Sequence, residues 1–265
     1  MAIFISTKFS YFCIMAWFET WFDTPYYHIL YKDRDFLEAE NFITLLINDL
    51  EIQKGAKIVD LACGKGRHSI YLNQLGFNVL GLDLSKESIA LNKKFETPEG
   101  TDPFLKFGVH DMRNEIYPEV YNEKVDAVFN LFTSFGYFDD EEEDRKIFRS
   151  VNNALKDDGF FVLDFLNELW VKNTLVPEAV SRKENIDFHI TKKIEGQHVI
   201  KDIKFNDEGK DYHFFEKVKL HTLDEIAIYA EEFGFERIKI YGDYQLGSFD
   251  LETSPRCINV FKKKN

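Results

Sequence analysis

An open α/β fold, with a parallel sheet covered by helices on both faces, is what this chain predicts, on three observations. Apolar, β-branched runs alternate with helical patterns from 56 to 165, and alternation of that kind builds a parallel sheet. The first run, IVD at 58–60, ends in an acid and enters a glycine-rich turn. The next run ends in a second acid, Asp83, at the start of another helical pattern.

Taken in order, Phe36, Leu37, Phe42, Ile43, Leu46, Ile47 and Leu50 recur at three- and four-residue spacing and predict a helix ahead of the sheet. Strands are expected at 56–61, 77–82, 104–109, 125–131 and 159–165. Helical patterns at 65–75, 86–95 and 140–156 separate them, the second with Ser85 as its N-cap. From 186 to 220 the period shortens. Three β-like stretches near 186–195, 198–206 and 210–220, joined by turns at Gly196 and at Asp207-Glu208-Gly209, predict an antiparallel meander. Thr222 with Glu225 three residues on is a capping box that opens a helix to about 233. Strands at 235–241 and 257–262 close the chain. The expected organisation is an N-terminal helical lid region, 1–53, and one domain, 54–265, carrying the β insertion at about 185–221.

Composition narrows the classes. The 265 residues, 45% hydrophobic and rich in phenylalanine with 27, are ample for one core with an elaboration. A net charge of −13 argues against nucleic acid as the partner, because phosphate binding rests on a basic surface. Cys13, Cys63 and Cys257 form neither a C-x-x-C nor a metal-ligand spacing, which fits buried thiols in a reducing cytoplasm. The apolar first eighteen residues are interrupted by Lys8 and Ser10 and fall short of the ~20 a membrane span needs. They also lack the basic leading region of a signal peptide. Met15 reads as a natural start, with residues 1–14 an upstream extension.

The chemistry is concentrated in IVDLACGKGRHS, 58–69. A buried strand, a turn without obstructing side chains and an acid ending the next strand make a seat for an adenosine-containing cofactor, the acid accepting both ribose hydroxyls. A dinucleotide fingerprint requires G-x-G-x-x-G. This chain has Ala62, Gly64 and Gly66, with Arg67 where the third glycine would stand. The pattern D-x-A-x-G-x-G resembles the first motif of the class I S-adenosylmethionine-dependent methyltransferases, and VDLACGKGRHS resembles their small-molecule, glycine N-methyltransferase-like branch. That family often has glycine where Ala62 stands.

The resemblance implies a Rossmann-like seven-stranded methyltransferase sheet with an antiparallel last strand, an N-terminal helical lid and the inserted β meander. It implies S-adenosyl-L-methionine as cofactor and a methyl group passed to N or O of a small-molecule acceptor. Asp60 would then hold the methionine amino end, with Ala62, Cys63, Gly64, Gly66 and Arg67 forming the turn. Asp83 and Leu84 would meet the ribose, and Asp111 and Met112 of VHDMR the adenine. Asn130 and Leu131, with Phe132, would face the transferable methyl, in an aromatic setting that suits a sulfonium. The N-P-P-Y type motif of adenine-amino methyltransferases is replaced here by Asn-Leu-Phe-Thr, a further argument against nucleic acid.

In the tyrosine-rich segment 21–36, which resembles the lid of such enzymes, Tyr27 is the cofactor candidate. Tyr26, Tyr31, Phe135, Tyr137 and Arg256 are the acceptor candidates. Each has a plain structural alternative: aromatic packing for the tyrosines and Phe135, core for Met112, a surface position or a carboxylate partner for Arg67 and Arg256. His110 is either a satisfied histidine or a general base. No residue declares itself catalytic, no metal spacing is visible, and the oligomeric state is open. Two other readings stand beside the first: an NAD-dependent oxidoreductase, and a non-catalytic cofactor-binding or regulatory protein.

Overall fold

A computed structural model describes residues 17–32, 36–116 and 123–264. Met15, the extension before it and Cys13 lie outside them. Five parallel strands form the centre: β1 (Lys57–Leu61), β2 (Asn78–Asp83), β3 (Leu105–Val109), β4 (Val125–Asn130) and β5 (Leu155–Leu166). Two more follow late in the chain, β10 (Phe235–Tyr241) and β11 (Arg256–Lys263), and the sheet order is β10-β11-β5-β4-β1-β2-β3. The last strand, β11, runs antiparallel to both neighbours and is inserted between β5 and β10, as the resemblance implies.

Unbroken apolar runs in β1 and β4 follow from burial on both faces. Ile58 packs into one core with Phe77, Val79, Phe129 and Ile258, and Val59 into the other with Leu80, Phe148, Phe161 and Phe261. Helix α3 (Phe36–Asp49) covers the first core through Phe42, Ile43, Leu46 and Ile47. Helix α6 (Glu141–Ala154) covers the second through Ile147, Phe148 and Val151. Helices α4 (Arg67–Gln74) and α5 (Lys86–Asn92) make the first two crossovers, α5 capped by the Ser85 side chain on Ser88 N. Helix α8 (Leu223–Glu232) opens on the Thr222–Glu225 capping box.

The meander is larger than its period suggested. Four strands make it, in chain order: β6 (Glu178–Lys183), β7 (Ile186–Glu195), β8 (His198–Asp207) and β9 (Lys210–Lys219). Strand β6 lacks an alternating pattern because it is an exposed edge, with Val180 62% accessible. Two short helices before the sheet, α1 (Trp17–Trp21) and α2 (Pro25–Leu30), carry no period long enough to read. They pack on the meander's inner face, where Trp21 and Leu30 are buried against Phe188, Ile190, Ile203 and Phe205. Helix α7 (Glu168–Thr174) follows β5.

Candidate active site

At the end of β1 the chain turns through three left-handed residues, Ala62 (φ 62°), Gly64 (φ 53°) and Gly66 (φ 72°). Cys63 N donates to Leu82 O at 2.9 Å and Gly66 N to Cys63 O at 2.9 Å, so the turn is fixed to β2 as well as to itself. A Cβ on Gly66 would lie 2.9 Å from the Phe107 ring, whereas one on Gly64 would meet no protein atom. The Gly64 side of the turn is open for a ligand. Ala62 is the exception: an L-residue in this region costs ~1–2 kcal/mol, which accounts for the glycine that resembling sequences often place there. Ala62→Gly is expected to raise the melting temperature by ~2–4 °C in thermal unfolding, since relief of strain exceeds glycine's added chain entropy.

Two acids anchor the turn. Asp83, ending β2, accepts Gly64 N on Oδ2 and Ser85 N on Oδ1, both at 2.8 Å. Burial raises its carboxyl from the ordinary value, and the two N–H donors oppose that shift. Asp60, 1% exposed at the root of the turn, accepts from Ser69 Oγ at 2.5 Å. Burial pushes its carboxyl up to about 6; the Ser69 hydrogen bond works the other way, and the charge of Asp83 adds to the rise.

The sign of the linkage follows. A carboxyl raised on folding contributes stability to the apoprotein at low pH, and loses it as pH rises through about 6. If the amino end of the cofactor that the resemblance implies meets Asp60, binding requires the opposite, ionised form. Affinity for S-adenosylmethionine is therefore expected to fall as pH drops below 6, by up to about tenfold per unit, while the apoprotein gains from the same protonation. Calorimetric titrations from pH 5 to 8 would show this; a flat profile would remove Asp60 from the site.

The segment that follows β3 carries His110, Asp111 and Met112. His110 N donates to Asp83 O at 2.9 Å, and burial holds its ring below the ordinary histidine value, hence neutral at pH 7. Asp111 is also partly buried, but the Arg113 guanidinium, with Nε at 2.9 Å, outweighs this and keeps the carboxyl low. Arg113 also reaches Glu143 at 2.9 Å.

After β4 the backbone enters the left-handed region twice in succession, at Phe132 (φ 66°) and Thr133 (φ 63°). Asp164 of β5 holds this bend, accepting Phe132 N on Oδ2 at 2.7 Å and Thr133 N on its carbonyl at 3.2 Å. Tyr137 OH donates to Thr133 O at 2.5 Å. The lid is latched to the same end of the sheet, because Asp23 Oδ1 accepts Ser85 Oγ at 2.8 Å and Glu87 N at 3.0 Å.

These parts enclose a cavity of about 790 Å³ between the strand ends, the lid helices, α7 and the meander. Of the residues expected at a cofactor, Ala62, Cys63, Gly64, Arg67, Asp83, Leu84, Asp111, Met112, Leu131 and Tyr27 line it, and of those expected at an acceptor, Tyr31 and Tyr137 do. Asp60, Gly66 and Asn130 do not line it. Fully buried, Asn130 ties the ends of β4 and β1 together by donating to Leu61 O at 3.1 Å. Three acceptor candidates fall elsewhere. Tyr26 donates to Asp207 at 2.9 Å and packs on Phe205 and Tyr212, on the meander side. Phe135 is core, edge-on to Phe148 and Phe165. Arg256 is paired with the buried Asp164.

Residues that sequence reasoning passed over also line the cavity: Trp17, Phe22, Thr133, Trp170, Lys192, Lys201 and Glu216 among them. Among the described residues no group of three or more His, Cys, Asp or Glu side chains is arranged to hold a metal ion. Nor is any described helix long and apolar enough to cross a membrane.

Comparison with known proteins bears on this geometry. A family described as a methyltransferase domain matches residues 52–220. The chain belongs to the class I S-adenosylmethionine-dependent methyltransferases. The methyltransferase is 29% identical to the glycine/sarcosine N-methyltransferase of Aphanothece halophytica over 260 residues, covering 94% of this chain and 89% of the relative. Two solved structures share its fold. An S-adenosylmethionine-dependent methyltransferase from Clostridium acetobutylicum superposes with a TM-score of 0.74 at 20% identity, over 91% of this chain and 96% of the other. The sugar N-methyltransferase KedS8 of Streptoalloteichus does so at 0.69 and 19%, over 100% and 99%. The enzyme uses S-adenosyl-L-methionine to methylate small-molecule acceptors.

Proposed function

We propose that this methyltransferase transfers the methyl group to a nitrogen of a small molecule held between the cofactor and the meander. The observation that carries the reading is the cavity itself. It runs from Asp83 and the Gly64 turn to the inner face of the meander and is roofed by the lid, a space for a metabolite and not for a duplex.

In this reading Asp83 accepts the ribose hydroxyls, Asp111 and Met112 receive the adenine, and the turn at Ala62–Gly66 passes the amino-acid end, with Asp60 beneath it. Leu131, Phe132 and Tyr27 flank the sulfonium, whose positive charge favours aromatic faces. The bound cofactor supplies an activated methyl group, so the protein contributes alignment, worth ~7–11 kcal/mol, and exclusion of water. Nitrogen is favoured over oxygen because a neutral amine attacks without a base. The lining acids are already engaged, Asp111 by Arg113, and Glu216 by Trp21 and Tyr31. The naming of the Aphanothece relative as an N-methyltransferase agrees. A cytoplasmic location belongs to the same reading, since Cys63 and Cys257 are buried, unbonded thiols.

Calorimetry against S-adenosylmethionine, S-adenosylhomocysteine and NAD, followed by S-adenosylhomocysteine release on a panel of amines and alcohols, tests the proposal. Turnover of amines supports it. Turnover of alcohols alone would move the acceptor to oxygen, and uptake of NAD in place of the sulfonium would end the reading.

A further inference from the structure

Over four successive rows of β7, β8 and β9, the inner face of the meander is apolar in all but one. Along β7 this face carries Phe188, Ile190, Lys192 and Ile194, along β8 Phe205, Ile203, Lys201 and Val199, and along β9 Tyr212, Phe214, Glu216 and Val218. Lys192 is the direct cross-strand partner of Lys201, and Lys201 of Glu216, so the three charges form a single row across the sheet. All three line the cavity, as do Val199 and Val218 beside them.

That row is costly as it stands. Like charges directly opposite on neighbouring strands are destabilising, and charged groups on an inward face need compensation. Glu216 compensates Lys201, its Oε2 3.5 Å from the ammonium, with both side chains only 17% exposed. Glu216 is in turn fixed by Trp21 Nε1 at 2.9 Å and Tyr31 OH at 2.6 Å, and Lys201 also meets the Tyr31 hydroxyl. Lys192 has no carboxylate within ion-pair distance among the described residues. The three side chains of the row sum to one positive charge, on a cavity also lined by Trp17, Phe22, Tyr137 and Trp170.

We propose that Lys192, beside the Lys201–Glu216 pair, is the subsite for an anionic oxygen group on the acceptor. The ligand class is an amine that bears a carboxylate or a phosphate at the end remote from the attacked nitrogen, with an apolar body lying on the aromatic wall. Binding brings the missing negative charge to the row and makes charge-assisted hydrogen bonds there. This inference rests on the reading of the cavity as a methyl-transfer site, and its test separates the two.

The experiment uses a panel of amino acids and amino phosphates, each paired with its neutral amide or ester, on the wild type, Lys192→Gln and Lys192→Arg. The expected result is turnover of the anionic members, at least about tenfold lower kcat/KM for their neutral partners, and collapse of that ratio in K192Q through KM with kcat held. K192R should retain the preference. Lys192 makes no described side-chain contact that folding depends on, so S-adenosylhomocysteine affinity should be unchanged in both variants. Acetate and inorganic phosphate, added separately to the S-adenosylhomocysteine complex, should each raise the melting temperature of the wild type more than that of K192Q. The larger of the two effects tells carboxylate from phosphate. Equal use of charged and neutral members, a ratio unmoved in K192Q, or a complex indifferent to both anions overturns the subsite while leaving methyl transfer intact. Failure to bind S-adenosylhomocysteine would instead remove the reading beneath it.

Discussion

Arg256→Leu is expected to lower the melting temperature by roughly 10 °C and to depress methyl transfer beyond what lost stability explains. Its guanidinium meets Asp164 Oδ1 from Nε at 2.8 Å and from a terminal nitrogen at 2.5 Å, and the Asp164 side chain is wholly buried. Removing the cation strands a carboxylate in the interior, a cost of ~3–5 kcal/mol. Tyr244 OH, 3.1 Å from Oδ2, is then the main side-chain donor left to it. The second effect runs through the bend after β4. Phe132 and Thr133 hold left-handed backbone that the chain would not keep unaided, and Asp164 is what receives both of their N–H groups. An Asp164 side chain drawn toward solvent releases that bend, and with it the cavity wall formed by Phe132 and Thr133. The double variant Asp164→Leu with Arg256→Leu separates the two effects. It buries no charge, so part of the stability should return, yet Phe132 N still lacks its acceptor and kcat should not recover. Chemical denaturation with steady-state kinetics on the wild type and the two variants checks both statements. An Arg256→Leu protein as stable as the wild type would show that the pair contributes nothing.

The same residue shows where reading from sequence stops. Arg256 is visible as an arginine at the start of the last strand, and its function depends on Asp164, 92 positions away, which no local pattern announces. Asn130 is similar: it sits at the strand end that faces the cavity, yet its amide is spent on Leu61, 69 positions away. The sheet was legible because strands buried on both faces give continuous apolar runs, and because Gly64, Gly66 and Asp83 do local work at fixed separations from one another. Where a strand is an exposed edge, as in β6, or a helix is only five or six residues long, as in α1 and α2, burial leaves no period to find. Lys192, Lys201 and Glu216 are an intermediate case. Each breaks an apolar alternation in phase with its buried neighbours, so a charge on an inward face was there to be seen. Only strand register, which sets the three side by side, turns separate irregularities into a row.

Asp83→Ala should weaken S-adenosylmethionine binding by about a hundredfold or more, and Asp83→Asn should be nearly as damaging despite its shape. The carboxylate is used on both oxygens, Oδ2 by Gly64 N and Oδ1 by Ser85 N. An amide has one oxygen, so one of those N–H groups would face an NH₂ group that cannot accept. Hydrogen bonds to a charged group contribute ~1.5–3 kcal/mol each, and 2.7 kcal/mol corresponds to about a hundredfold in affinity. Loss of the carboxylate acts twice, through the ribose hydroxyls it would accept and through the turn it holds in place. Glutamate should not rescue, because the added methylene would push the carboxylate into the space that the proposed binding mode gives to the ribose. The Lys192 row belongs to the meander and Asp83 to the end of β2, so the preference for charged over neutral acceptors should survive in Asp83→Asn assayed at saturating cofactor. Titration calorimetry of the three variants with S-adenosylmethionine decides the matter. Affinities within a few-fold of the wild type would mean that the cofactor is held by some other part of the cavity.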